Sequence, residues 1–341
     1  MSIPLYPDNG DMDCSIIICT RNRSGELRRT LKWFESVTVP AGWIVEMIIS
    51  DNGSEDDTSD VIRNARHPLI DIRGVFESNP GKSRAQNTAI RSARGRVLLF
   101  TDDDVEPASD WIEEMATPLL KGDCDAVAGR ILLGDELQRD WMERMHEIWL
   151  AGFPVVEKDD PELVGASMGI RRSVFERIGE FEEELGPGAT GFGEETLVWL
   201  QMREAGMRIN PVNNTHVVHH PDESRLLRSS WLSAAARYGE TRAFMMHHWE
   251  HTRFRFPRLR RAILKLKLLT RGLLAGRREP GQEGCPAWEM SYRVELESLA
   301  RFPQQACRPR LYPKHGLRRC KSTDVECARR TNTGERPNLI L

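Results

Sequence analysis

The sequence predicts an α/β protein with a mostly parallel central sheet flanked by helices. Three observations carry this. Short apolar runs of strand length recur between helical stretches. Those runs are apolar at successive positions, as strands are when helices cover a sheet on both faces. Three of them end in polar motifs, "CTRNR", "SDNGS" and "TDDD". A fold of this kind gathers such motifs beyond the carboxyl ends of its strands, where α/β proteins bind ligands.

The elements follow in order. "CSIIIC" (14–19) is the first strand, with a helix over 24–36, and "VEMIIS" (45–50) the second, with a helix over 56–66. "IDIRGVF" (70–76) is the third, with a helix over 81–94, and "RVLLF" (96–100) the fourth. The pattern then loosens: a helix over 108–121, a strand over 124–131, a helix over 138–150 and a strand-to-helix passage over 163–178. The glycine-rich loop "LGPGATGFG" (185–193) leads into a helix over 194–205 and a strand over 207–212. Residues 224–275 read as helical and increasingly basic. Beyond 279, Pro, Gly, Gln and Arg dominate without periodicity, and a mostly disordered tail is expected.

At 341 residues the chain suffices for one large domain or two ordinary ones. With 40% hydrophobic and 29% charged residues it falls among soluble globular proteins. No apolar run is long enough to span a bilayer, and the first residues lack the basic-then-apolar order of a signal peptide. Seven scattered cysteines suit a reducing compartment, so a cytoplasmic location is expected. The formal net charge of −3 hides an asymmetry: residues 251–278 hold ten Lys/Arg and no acid, over an acidic body.

In "LLFTDDDVEP" (98–107) a strand ends in three carboxylates. Adjacent carboxylates at a strand end offer the hard oxygen ligands that Mg²⁺ and Mn²⁺ take, phosphate oxygens filling the rest of the shell. An acidic turn or helix start would read the same way. The first strand is not followed by G-x-G-x-x-G, and no G-x-x-x-x-G-K-[ST] occurs, which removes the nicotinamide-binding and P-loop readings.

Together, "SIIICTRNR" (15–23), "ISDNGSEDDT" (49–58), "NPGKSRAQNTAIRSARGRVLLFTDDD" (79–104) and "GFGEET" (191–196) resemble the family 2 glycosyltransferases of the GT-A fold, over about residues 13–250. The resemblance implies inverting transfer of a sugar from a nucleoside diphosphate sugar, UDP-linked by preference, to a hydroxyl acceptor, with Mn²⁺ or Mg²⁺ on the diphosphate. It implies Thr20, Arg21, Asn22 and Asp51 in the nucleotide pocket, and Lys82, Arg84 and Asn87 facing the nucleotide or its sugar. Asp102 would contact the ribose or lie beside it, Asp103 would belong to the nucleotide-sugar site, and Asp104 would bind the metal. The family's base is usually the Asp of a Glu-Asp pair; here that position is Glu195, with Glu194 as the alternative. A late histidine completes the metal shell in many relatives, and "THVVHHP" offers His220 first and His219 second. Product classes such as cell-envelope polysaccharide follow from the same resemblance.

The implied domains are a lead (1–12), a catalytic domain (13–222), a basic helical extension (223–278) and the tail (279–341). "HHWEH" (247–251) has metal-like spacing but no partner motif and reads as a helix face. "RFRFPRLRRAILKLKLLTRGLLAGRR" (253–278) alternates cations with apolar residues. It suits peripheral contact with the inner face of a membrane better than nucleic acid, beside the plain reading of a helix packed on the body. Acceptors that are glycans, lipid-linked or small molecules all remain open. Two rivals stay open with them: a nucleotidyltransferase acting on a sugar phosphate, and a non-catalytic nucleotide-sugar or membrane-binding module.

Overall fold

The structure, a computed structural model, describes residues 12–159, 161–253, 256–275 and 281–320. Residues 1–11 of the N-terminal lead and the end of the tail therefore lie outside the described residues. The elements in chain order are β1 (Cys14–Thr20), α1 (Ser24–Phe34), β2 (Val45–Asp51), α2 (Thr58–Asn64), β3 (Ile70–Phe76), α3 (Lys82–Ser92), β4 (Val97–Asp102) and β5 (Val105–Pro107). They continue with α4 (Trp111–Lys121), β6 (Ala126–Leu133), α5 (Arg144–Trp149), β7 (Met168–Arg171), α6 (Arg172–Ile178), α7 (Glu194–Glu204) and β8 (Ile209–His219). Three long helices close the described chain: α8 (Arg228–His248), α9 (Pro257–Ala275) and α10 (Ala287–Ala306).

One eight-stranded sheet runs β3-β2-β1-β4-β7-β6-β8-β5. The β3-β2-β1-β4 half is parallel, as the apolar runs predict, and β7 then enters antiparallel to both β4 and β6. Consecutive isoleucines show why these strands read as unbroken apolar runs. Ile16 and Ile18 pack with Trp111 and Leu99 on one face, while Ile17 packs with Leu98 and Phe100 on the other. Both faces are buried, so both sets must be apolar.

The tail expectation is corrected between 281 and 320. Helix α10 lies along α8, with Met290, Val294 and Ser298 buried. Gly239 makes this approach possible, because a Cβ there would sit 2.6 Å from the Glu297 Cβ and 2.7 Å from the Val294 carbonyl. After α10 the chain returns to the body built around the sheet. Tyr312 is buried among Leu185, Leu197, Phe244 and Trp249. Its hydroxyl donates to the buried Glu182 carboxylate at 2.7 Å, and Arg319 reaches the same carboxylate at 3.2 Å. Removing only that hydroxyl (Tyr312→Phe) leaves the ring in place and deletes one hydrogen bond to a charged, buried group. Urea unfolding should show a loss of about 2 kcal/mol; an unchanged midpoint would mean that this return segment adds nothing to stability.

Candidate active site

The carboxyl ends of β1, β2 and β4 open on a cavity of about 700 Å³. The register sets Thr20 beside Asp51, and Cys19 beside Asp102. The three aspartates then take three different surroundings. Asp102, half-buried at the end of β4, accepts from Lys82 Nζ at 2.6 Å. Asp103 turns inward, where Thr20 Oγ1 donates to it at 2.6 Å and Arg23 Nε lies 3.2 Å away. Burial lifts the Asp103 carboxyl to about 7, against the pull of Arg23. Asp104 faces His219 Nε2 at 3.2 Å and accepts from Arg23 Nη2 at 2.7 Å. Burial alone would raise Asp104, but His219 and Arg23 outweigh it and hold that carboxyl below the usual carboxylate range.

His219 reaches the site through strand geometry. Strand β8 continues to residue 219 instead of ending near 212, and β5 pairs with it so that Val105 opposes His219. Side chains alternate along a strand, so His219 falls on the buried side with Val217. His220 therefore points elsewhere: its Nδ1 meets Glu136 at 2.7 Å, and its ring stacks on Trp33 with centroids 4.9 Å apart. This reverses the sequence preference: the imidazole facing the Asp104 carboxylate is that of His219, while His220 meets Asp104 only through its backbone amide, at 2.9 Å.

Asp102, Asp104 and His219 bring one ligand atom each to within 4.8 Å of one another. The donor set fits a divalent cation on two further observations. Asp104 Oδ1 is buried and accepts no hydrogen bond. His219 Nδ1 lies 2.8 Å from the Leu150 carbonyl, which can only accept, so Nδ1 carries the proton. Metal-binding imidazoles are usually oriented in this way by their other ring nitrogen, and here Nε2 faces Asp104 Oδ1 at 3.2 Å.

Glu194 and Glu195 open α7 immediately after Gly193, which sits at a φ of 94°. Glu194 is 2% exposed, and burial, then the charge of Glu195, raises its carboxyl well above the ordinary value. Glu195 is less buried, lines the cavity, and leaves its Oε2 without a hydrogen-bond partner. Lys82 lies among these acids. Burial would weaken its charge, but Asp102, Glu194 and Glu195 outweigh that and keep the ammonium protonated. The glycine-rich loop rests on the start of α3, where the Lys82 amide donates to the Pro187 carbonyl at 2.8 Å. A Cβ on Gly188 would come within 2.9 Å of Gly81 Cα.

Thr20, Arg21, Lys82, Asp102, Asp103, Asp104, His219, Glu194 and Glu195 thus share one cavity. Four further residues expected at the ligand are not among the lining residues of this cavity and bond to neighbouring segments. Asn22, at a φ of 52°, accepts from the Glu55 amide at 2.7 Å. Asp51 accepts from the Ser54 amide at 2.9 Å and from Ser59 Oγ, at the start of α2, at 2.7 Å. Arg84 pairs with Glu183 at 2.9 Å, and Asn87 clasps the Phe181 backbone through both ends of its amide. The "HHWEH" histidines hold backbone as well: His247 and His251 bond the Arg308 and Tyr312 carbonyls, each at 3.0 Å.

Several lining residues had not been singled out from the sequence. Arg23 stands inside the quoted "CTRNR" run, and Asn52 stands next to Asp51. Asn52 accepts from the Gly81 amide at 2.8 Å, tying the second strand's loop to the start of α3. An aromatic wall of Trp149, Phe192 and Tyr238, with ring centroids 5.5–6.2 Å apart, closes the other side. It joins three distant segments, so no local motif announces it.

Residues 15–179 match the family model described as glycosyl transferase family 2. Among curated relatives, glycosyltransferase AglE of Haloferax volcanii is 28% identical over 118 residues, covering 34% of this chain and 38% of that protein. Hyaluronan synthase of Pasteurella multocida is 31% identical over 127 residues, covering 37% of this chain and 13% of that protein. The matches therefore span well under half the length of these relatives. Among solved structures, a mannosyltransferase from Pyrobaculum calidifontis, in complex with GDP-Man and Mn²⁺, superposes with a TM-score of 0.51 at 15% identity. That match covers 98% of this chain and 83% of the other. The expected GT-A fold is the one observed.

Proposed function

We propose, from the premise that residues 15–179 are a family 2 glycosyltransferase domain, that the protein transfers a sugar from a nucleoside diphosphate sugar to an acceptor hydroxyl with inversion. The observation that carries this reading is the shared cavity: two aspartates and a histidine with converging ligand atoms face a pair of acids on α7. Asp104 and His219, with Asp102, would hold a divalent cation, which when bound supplies neutralisation of charge on the departing diphosphate. Mn²⁺ suits the imidazole better than Mg²⁺ does.

The chain's own residues supply the rest. Glu195 takes the proton from the acceptor hydroxyl as that oxygen bonds to the anomeric carbon. The bond from that carbon to the diphosphate oxygen breaks with its electron pair, and the nucleoside diphosphate leaves. Glu194 is buried, and burial raises its carboxyl, while Glu195 faces the cavity with Oε2 free of hydrogen bonds, which favours Glu195 as the base. Lys82 fixes Asp102 and offsets the charge of the acids around it. Thr20 and Asn52 hold the loops that shape the nucleotide end. The wall of Trp149, Phe192 and Tyr238 offers flat apolar area to a sugar ring on the acceptor side.

A UDP-sugar is the preferred donor on the family resemblance, and GDP-sugars belong in the same test because the mannosyltransferase above was captured with GDP-Man. The test is release of free nucleoside diphosphate from UDP-, GDP- and TDP-sugars, with Mn²⁺ or with chelator. Metal-dependent release from one of them is expected. Pyrophosphate as the product would indicate a nucleotidyltransferase. Donor binding without release, with a full acceptor panel present, would indicate a binding module.

A further inference from the structure

Helix α9 places its apolar residues in an unusual way. Leu264 and Leu268 face α10, packing with Leu296, Leu299 and Tyr292. The opposite side carries Leu259, Ile263, Leu266, Leu269 and Leu273, between 46% and 76% exposed. At 100° per residue these five fall within one arc about a third of the way round the helix. Ala262 and Thr270 lie in the same arc, and Phe256, 73% exposed, stands just ahead of it. A solvated face would be polar, and a packed one would be covered. Among the described residues nothing covers this one.

The charges complete the pattern. The helix holds six Lys/Arg and no acid. Arg258, Arg261 and Lys265 project along one border of the apolar arc, and Arg260, Lys267 and Arg271 along the other. The Arg271 guanidinium also lies 4.8 Å over the Trp288 ring, which ties that border to α10. No described helix is long and apolar enough to cross a membrane.

We infer that α9 is a docking face for an anionic lipid surface, its leucine arc entering the interface and its two basic borders meeting acidic headgroups. The other candidate occupants fit less well. A nucleic acid would be met by cations at the centre of the face, where this helix has leucine. A second copy would bring two cationic helices together with no acid on either. The helix is coupled to the cavity, since α9 packs on α10 and α10 on α8, whose Arg237 and Tyr238 line it. The inference rests on α9 alone and does not depend on the proposed transfer reaction.

The test is co-sedimentation of the full chain with vesicles of phosphatidylglycerol and phosphatidylcholine, or of phosphatidylcholine only. The protein should sediment with the anionic vesicles and be released as salt is raised. Leu266→Glu with Leu273→Glu changes only exposed positions and should weaken vesicle binding at least about tenfold. Its circular dichroism, and any nucleoside diphosphate release in vesicle-free solution, should stay unchanged. Absence of binding to any vesicle would overturn the inference, as would binding that the double variant retains. So would self-association that the variant abolishes, or duplex DNA binding that it leaves intact.

Discussion

Asp104→Ala is expected to lower turnover by about a thousandfold or more while leaving the fold in place. Asp104 is the meeting point of His219 and Arg23, and its second oxygen is buried without a hydrogen-bond partner. Losing that carboxylate removes a central member of the three-residue ligand set. Lewis-acid stabilisation of a leaving group amounts to several kcal/mol, and each 1.36 kcal/mol is a factor of ten in rate. The variant should also bind Mn²⁺ more weakly, read by titration without donor. Wild-type affinity for Mn²⁺ in the variant would move the ion elsewhere. Wild-type turnover would remove Asp104 from the reaction altogether.

Glu195→Gln tests the other side of the cavity. A positioned general base contributes roughly 10²–10⁴-fold, so kcat should fall by that factor while donor affinity is kept. Glu194→Gln is the control. Burial, then the neighbouring charge of Glu195, raises the Glu194 carboxyl and favours its neutral form, which an amide resembles. Its effect should stay within a few-fold. The opposite ranking, with Glu194→Gln the more damaging, would transfer the role of base to Glu194.

How far the sequence reveals this molecule depends on the range of each interaction. The parallel half of the sheet is legible because burial on both faces demands apolar residues at successive positions, as Ile16, Ile17 and Ile18 show. The three aspartates are legible because they are contiguous. His219 is hidden by its strand: "NPVNNT" looks like a turn, yet β8 runs through it. There Asn213 satisfies the Val156 backbone through both ends of its amide, at 2.9 and 3.0 Å. The antiparallel entry of β7 leaves no local mark at all. Helix α10 is obscured by Pro303 and by a polar composition, although Met290 and Val294 already sit one helical turn apart. Asn87 misleads for another reason: a polar residue on a motif helix invites a ligand, but this one is buried to hold the Phe181 backbone.

One short stretch of α8 joins two otherwise separate parts of the molecule. Arg237 and Tyr238 form cavity wall, and Gly239, the next residue, is where α10 comes closest. The parallel strands and their loops supply the opposite side, with Thr20, Asn52 and the aspartates. Selection can therefore work on the two sides of the cavity separately. Under the proposed reaction, a descendant of this chain could keep its donor and exchange its acceptor by redrawing α8 and the aromatic wall, leaving the strand ends as they were inherited. The same geometry sets a limit on such drift: at position 239 the helix has room for glycine alone, so any new acceptor specificity has to be written around that residue.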